Sequence, residues 1–450
     1  MIGEGDRMNG WKHGGRERRG PRSLVATVAA LVIAAQPTAA RQDVESFDGS
    51  YELESGEIVT GGYMVEGEGF WIFADAWGLE RFAIFERDGD ELRSTFPPDG
   101  AVRVEFERPP DGSYDRLVWR EDGLELRGRR VYPHDSRPVR FSSADGTRIH
   151  GRLLIPRCEG PHPGIVMVHG SGPANRYGGV FHTFLLQRGV AVLAYDKRGY
   201  TPDAEAWREP DLAEMSADAA AGVEYLARLP EVAGDRVGLW GSSQGGWTVP
   251  PAALDAPHTA YMILRAGAAL TEGETSLHEV RQELRAEGVD GLDLDYAMSL
   301  RREVYELAME GAPITAADSL AAPYLDEPWY RVAFGDGPIG SIWSDHWWGW
   351  AQRNLAVESA SAVAEFDGPV LWFLGERDEA VPFVATRAAL ERAFAKAPGD
   401  DHELVVVEDA PHSFMIPREE GPPVYARGVF ARMADWLEAR GFTDPSCWGG

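Results

Sequence analysis

Lysine is nearly missing from this chain, with three among 450 residues and 44 lysines and arginines together. Acidic residues outnumber basic ones 72 to 44, which leaves a formal net charge of −28. A surface this acidic repels phosphate backbones and anionic headgroups, arguing against nucleic acid or an anionic membrane as partner. Cysteine is scarcer still: Cys158 and Cys447 are the whole supply, and they leave open whether one disulfide joins the middle of the chain to its tail. There is no H-E-x-x-H run and no C-x-x-C pair. Neither a metal nor another cofactor is therefore called for.

What positive clustering exists lies at the start. Arg16, Arg18, Arg19 and Arg22 precede an apolar run of twelve over 24–35, and Pro37-Thr38-Ala39-Ala40 follows. Basic, apolar and small residues in that order read as a secretory signal peptide over 1–40, placing the protein in the periplasm or outside the cell. A permanent membrane anchor takes about twenty apolar residues, more than this run offers. Removing residues 1–40, with six basic and three acidic groups, takes the net charge from −28 to −31.

Residues 43–132 read as a small all-β domain. Short apolar or alternating segments at 69–73, 80–85, 102–106 and 117–119 are punctuated by Asp-Gly pairs at 88–89, 99–100, 111–112 and 122–123. That spacing is the signature of hairpins, so an antiparallel sandwich or barrel is expected, packing beside the next domain more than binding a ligand. The stretch 133–140, with two prolines, reads as the linker.

The most telling segment is the apolar run 237–240 entering Gly241-Ser242-Ser243-Gln244-Gly245, a G-x-S-x-G turn. A residue at the apex of a tight strand-to-helix turn sits at strained dihedrals, and small neighbours are needed where backbones approach; Gly241 and Gly245 supply them. Ser243 then projects above the sheet at a helix N-terminus, where free N–H groups favour developing negative charge. Upstream, the apolar strand 164–168 ends in His169-Gly170-Ser171-Gly172-Pro173, a loop suited to aiming N–H groups at an oxyanion. Downstream, strand 370–374 leads to Asp378, and strand 404–407 leads to His412.

From about residue 140 to 442 the chain resembles the α/β-hydrolases of the bacterial esterase and prolyl-oligopeptidase-like group, including the EstD-type esterases. The likeness is carried by the entry hairpin 141–151, the loop His169-Gly170-Ser171-Gly172-Pro173, the segment Tyr195-Asp196-Lys197-Arg198-Gly199 and the Ser243 turn. It departs at Tyr200-Thr201-Pro202, where such proteins often have a further glycine and a serine. The resemblance implies an α/β fold over 141–442, a mostly parallel central sheet flanked by helices. It also implies Ser243 as nucleophile, Asp378 as orienting acid, His412 as base, and the backbone N–H groups of Ser171 and Gln244 as oxyanion hole.

Each residue has a plainer reading beside that one. Asp378 suits a helix N-cap, His412 has a neighbour in His402, and His169 suits a structural role in the oxyanion loop. His402 precedes its strand, which puts it at the wrong end of the sheet. Asp196 and Arg198 read as an ion pair bracing their loop, or Arg198 as a contact for a substrate carboxylate.

About a hundred residues separate the strand 261–264 from the strand at Val370, too many for a simple crossover. An inserted α-helical cap is expected over 268–365, with helices at 277–287 and 294–309. Trp329, Tyr330, Phe334, Trp343, Trp347, Trp348 and Trp350 crowd its later part. Most of these rings pack the cap and a minority line an acyl pocket, which points to a small-molecule ester with an apolar acyl part. Carboxylesterase is the first reading. A serine peptidase, with Glu272, Glu274 or Glu279 meeting a substrate amine, is the second, and a catalytically silent binding protein on the same fold is the third. The sequence sets no oligomeric state.

Overall fold

The computed structural model describes residues 49–64, 69–74, 82–88, 91–94, 101–107, 115–177, 179–200, 208–417, 424–444 and 447. The expected signal peptide lies outside the described residues, as do Thr201-Pro202 and all or part of the first three Asp-Gly turns.

The expected β domain is a closed eight-stranded barrel: β1 Gly49–Leu53, β2 Ile58–Met64, β3 Gly69–Ala74, β4 Phe82–Asp88, β5 Glu91–Ser94, β6 Val102–Glu107, β7 Arg116–Glu121 and β8 Leu124–Val131. Neighbours in sequence pair antiparallel, and β1 closes the ring against β8. Alternation decides which face is inside: in β6, Val102, Val104 and Phe106 are buried while Arg103 and Glu105 are exposed. The one wholly described Asp-Gly turn, between β7 and β8, has φ of 50° at Asp122 and 80° at Gly123. Both values are left-handed, as a two-residue turn matching strand twist requires. Tyr51, Leu92, Val104, Phe106 and Trp119 fill the interior, leaving a cavity of about 10 Å³, no more than one water. Trp71, 6% exposed, belongs instead to the apolar cluster that holds Leu154, Phe184 and Phe430, and so seats the barrel on the larger domain.

The larger domain begins earlier than its sequence suggests. Residues assigned above to a linker form β9, His134–Ser142, which pairs antiparallel along its whole length with β10, Arg148–Pro156. Pro138 disguised it, yet β9 is the last strand of the sheet, and an edge strand can hold a proline whose missing N–H would have faced outward. The remaining strands are β11 His162–Val168, β12 Ala191–Tyr195, β13 Val232–Ser242, β14 Thr259–Arg265, β15 Val370–Gly375 and β16 His402–Val407. The sheet order is β16-β15-β14-β13-β11-β12-β10-β9, parallel from β16 through β12. Strands β11, β12 and β15 are buried along their full length, which explains their unbroken apolar runs. Helices cover both faces: 212–227, 245–255 and 383–394 contribute to one core cluster, 180–186 and 429–439 to the other.

Between β14 and β15 the chain forms the helical cap. Glu272–Ala286 and Gly291–Met309 are its long helices, and Thr271 caps the first by accepting from the Glu274 N–H. Leu294, Val304, Tyr330, Phe334 and Ile339 build a core separate from the sheet's. The helix Ala360–Glu365 falls inside the expected cap limits but sends Val363 into the main core beside Ala253 and Leu390, so the cap ends before it. A Cys158–Cys447 disulfide, with Cα atoms 4.9 Å apart, ties the turn after β10 to the C-terminal tail. No helix among the described residues is long and apolar enough to cross a membrane.

Candidate active site

The strands β11, β13, β15 and β16 run parallel, so the segments that follow them emerge at one edge of the sheet. Ser243 follows β13 with φ of 53°, a left-handed backbone that costs a non-glycine residue about 1–3 kcal/mol. Its N–H donates to the Arg265 carbonyl at 3.0 Å, and its carbonyl accepts from Gly246 at 2.8 Å. Steric need assigns the glycines differently from the sequence reading. A Cβ on Gly241 would stand 2.7 Å from Val249 Cγ2, and one on Gly246 would stand 2.4 Å from both N and O of Ala268. On Gly245 it would meet only the His169 carbonyl, at 3.7 Å. Gly246, not Gly245, is where the helix Gly245–Asp255 presses against the next loop.

Asp378 and His412 are brought together because their loops are laced to each other. Arg377 N–H donates to the Ala410 carbonyl at 3.0 Å, and His412 N–H donates to Glu379 Oε2 at 3.1 Å. A Cβ on Gly375 would lie 2.5 Å from the Ala410 carbonyl, so the absence of a side chain permits the approach. His412 Nδ1 then lies 2.9 Å from both Asp378 carboxylate oxygens, and its Nε2 lies 2.9 Å from Ser243 Oγ. An ionised carboxylate only accepts, which places the proton of the neutral ring on Nδ1 and leaves Nε2 to accept from the serine hydroxyl.

The N-cap reading of Asp378 is corrected. Pro382 caps the following helix, while Asp378 Oδ1 accepts from the N–H groups of Ala380 and Val381 at 3.0 and 2.7 Å. Those bonds fix the carboxylate plane that His412 meets. Burial pulls the His412 pKa down, but the Asp378 hydrogen bond and charge outweigh it, and the net shift is upward from 6.5. His402 stands at the start of β16, at the far end of the sheet, stacked on Phe394.

The loop after β11 lies against the Ser243 turn: a Cβ on Gly170 would be 3.6 Å from Ser243 Cβ. Gln244 is the N-cap of the helix Gly245–Asp255, and neither its N–H nor that of Ser171 meets an acceptor among the described residues. His169 Nε2 donates to the Tyr195 carbonyl at 2.6 Å, and burial holds its pKa down at about 3, so it is a neutral brace. The expected Asp196–Arg198 pair does not form. Asp196 accepts from the Arg176 backbone and guanidinium at 2.9 and 3.0 Å, whereas Arg198 grips Asp218 and Asp145, fastening the entry hairpin to the helix Leu212–Ala227. Arg198 is thereby spent on the scaffold.

Two residues here have no site role in the sequence reading, although Lys197 lies in one of its landmark segments. Arg265, at the end of β14, donates to Ser242 Oγ at 2.9 Å and to the carbonyls of His412 and Ser413 at 3.3 and 3.0 Å. Lys197 is buried, and its Nζ reaches the Gly170 and Gly172 carbonyls, Gln244 Oε1 and Glu209. Burial pulls the Lys197 pKa down and pushes Glu209 up, while their contact opposes both shifts. Only proximity in the fold reveals either residue.

Of the seven cap aromatics, Trp329, Tyr330, Phe334, Trp343 and Trp348 lie in the cap's own core. Trp350, with Trp347 against it, joins Trp247, Leu212, Ala268 and Val381 in a separate apolar patch between the cap and the helix Gly245–Asp255. Glu274 is exposed and serves the helix cap, but Glu272 and Glu279 are not: burial, named first among the causes for both, lifts each to about 7. Away from this edge, Cys158, His162, Asp444 and Cys447 bring four groups of metal-ligating type together, with both sulfurs committed to the disulfide.

A family model described as the alpha/beta hydrolase family matches residues 165–426. A thiohydrolase of Aspergillus aculeatus, aneE, is 30% identical over 117 residues, which are 26% of this chain and 36% of that protein's length. The chain thus spans about a third of that curated relative. Among solved structures, DcsB in complex with its substrate analogue is similar at a TM-score of 0.42 and 17% identity, covering 68% of this chain and 99% of that one. A Pyrococcus furiosus esterase is similar at 0.41 and 16%, covering 68% and 91%.

Proposed function

The chain belongs to the alpha/beta hydrolase family, and on that premise we propose that it is an exported serine hydrolase cleaving carboxylic esters through an acyl-enzyme. The observation that carries this reading is the unbroken contact from Asp378 through His412 to Ser243, at 2.9 Å on both sides of the imidazole. Ser243 Oγ attacks the ester carbon as His412 Nε2 takes its proton, a general-base contribution of about 100- to 10,000-fold. Asp378 holds the ring in the useful tautomer and stabilises the imidazolium. The negative oxygen is met by the N–H groups of Gln244 and Ser171, each donor worth on the order of 3 kcal/mol in the transition state. His412 returns the proton to the departing alcohol, and water, activated in the same way, clears the acyl group.

The apolar patch of Trp247, Trp347, Trp350 and Val381 supports an apolar acyl part, since it lies beside the helix that starts at the nucleophile. Export is supported by the basic-apolar-small order of residues 1–40 and by a disulfide, a bond favoured in oxidising compartments. A peptidase is the second reading, and Glu272 and Glu279 favour it. Buried carboxyls lifted to about 7 would gain from a cationic amine.

One comparison separates the two. Turnover of p-nitrophenyl esters of rising chain length is measured beside aminoacyl and prolyl amides, for the wild type and Ser243→Ala. Ester preference lost in the variant supports the esterase, amide preference supports the peptidase, and turnover that survives Ser243→Ala contradicts both.

A further inference from the structure

We propose that Lys197 is the positioning residue of the oxyanion hole, a strut that sets where the Ser171 and Gln244 N–H groups point. This rests on the reading of those two groups as the oxyanion donors. Lysine is rare enough here for its placement to be informative: three of 44 basic residues, the other 41 being arginine (44 − 3). This one is 2% exposed, two residues past the end of β12. Its ammonium lies 3.0 Å from the Gly170 carbonyl, 3.1 Å from the Gly172 carbonyl and 2.9 Å from Gln244 Oε1, with Glu209 as counter-charge. Three N–H bonds serve at least these four acceptors, so the ammonium is shared among them. A tetrahedral ammonium can sit at such a convergence; the flat fork of an arginine cannot.

Peptide geometry turns that contact into aim. The Gly170 carbonyl and the Ser171 N–H belong to one planar trans peptide, so they point in opposite directions. Holding the oxygen on Lys197 therefore turns the N–H away from the lysine. Gly170 packs on the nucleophile turn, so the peptide it begins is rigidly placed next to Ser243. The same ammonium holds the side chain of Gln244, the residue after the nucleophile, itself 4% exposed. One charge thus fixes both donors relative to each other. Without it, the Gly170 and Gly172 carbonyls and Gln244 Oε1 would lose the donor they share, Glu209 would keep only its bonds from the Gln244 side chain and the Gly172 backbone, and the loop would have to rearrange.

The test uses the full chain carrying Lys197→Met with Glu209→Gln, which removes the ammonium without stranding a buried carboxylate. Two quantities are compared, kcat per titrated active site on a p-nitrophenyl ester and the affinity of an alkyl trifluoromethyl ketone, whose adduct oxygen occupies the oxyanion position, with KM recorded beside them. Misplacing donors by about 1 Å costs on the order of 100-fold. The expected result is a fall of about that size in kcat with KM nearly unchanged, and a parallel loss of ketone affinity. A merely structural lysine would reduce the number of active sites and leave both quantities per site intact, which overturns the proposal. Should the double variant fail to fold, Gln244→Met decides: it removes one acceptor of the ammonium and one donor to Glu209, keeps the charge pair, and is expected to lower both kcat and ketone affinity about tenfold. No change in either overturns the strut. A wild type that the ketone does not inhibit removes the oxyanion reading and this proposal together, whereas a variant inhibited as well as the wild type removes the strut alone.

Discussion

The guanidinium of Arg265 donates to Ser242 Oγ at 2.9 Å, while its other terminal nitrogen holds the carbonyls of His412 and Ser413. One side chain at the end of β14 therefore ties the His412 loop to the residue before Ser243. It also opposes protonation of the imidazole, whereas Asp378 promotes it.

Those opposite signs give paired expectations for the pH profile. On the proposed role, His412 serves as base only when neutral, so kcat/KM is expected to rise with pH through its pKa, which is raised from 6.5 in the wild type. Asp378→Asn removes the group that raises it: the limb moves to lower pH and kcat falls by about 10,000-fold. Arg265→Met removes a cation that lowers it, so the limb moves to higher pH, with a milder loss of rate as the loop loosens. Profiles on a neutral ester between pH 5 and 9 check both directions.

The glycines of the Ser243 turn separate motif from sterics. Gly246→Ala forces a Cβ to within 2.4 Å of Ala268 backbone atoms and is expected to cost about 1–3 kcal/mol together with most activity. Gly245→Ala, with its nearest contact at 3.7 Å, is expected to leave the denaturation midpoint within about 0.5 kcal/mol of wild type. Equal damage from both would contradict the packing described.

Here lies the boundary of what the sequence carried. The G-x-S-x-G turn, the apolar strand before it, and Asp378 and His412 just past their strands were readable because tight turns and buried parallel strands leave short-range signatures. Gly246 was overlooked because its constraint comes from Ala268, on another segment. The β9 strand reads as a linker in sequence because Pro138 signals a break unless the strand is known to lie at an edge. Lys197 and Glu209 sit twelve residues apart and meet only in the folded chain, as does Arg265 with the His412 loop. The separate pairing of Asp196 with Arg176 and of Arg198 with Asp218 likewise depends on tertiary placement that adjacency in sequence misrepresented.

Glu272 offers a stability test with a definite sign. Its folded pKa of about 7 lies above the ordinary 4.5, so its contribution to stability is fully present below pH 4.5 and is lost as the pH rises through 7. Glu272→Gln is neutral throughout. Relative to wild type it is expected to gain on the order of 1–3 kcal/mol between pH 5 and pH 8, read from denaturation at the two values.

The disulfide joins Cys158 to Cys447, at a sequence separation of 289. Cys447→Ser is expected to lower stability by about 2–5 kcal/mol, and added reductant to bring the wild type to the same midpoint while leaving the variant unmoved.

The most direct measurement is the site of covalent capture by a fluorophosphonate, read by mass spectrometry of the digested protein. One adduct on the peptide bearing Ser243 is expected, absent in Ser243→Ala and slowed by on the order of 1,000-fold or more when His412 is replaced by alanine. Ester turnover with no adduct, or an adduct on a different residue, would contradict the assignment of Ser243 as nucleophile.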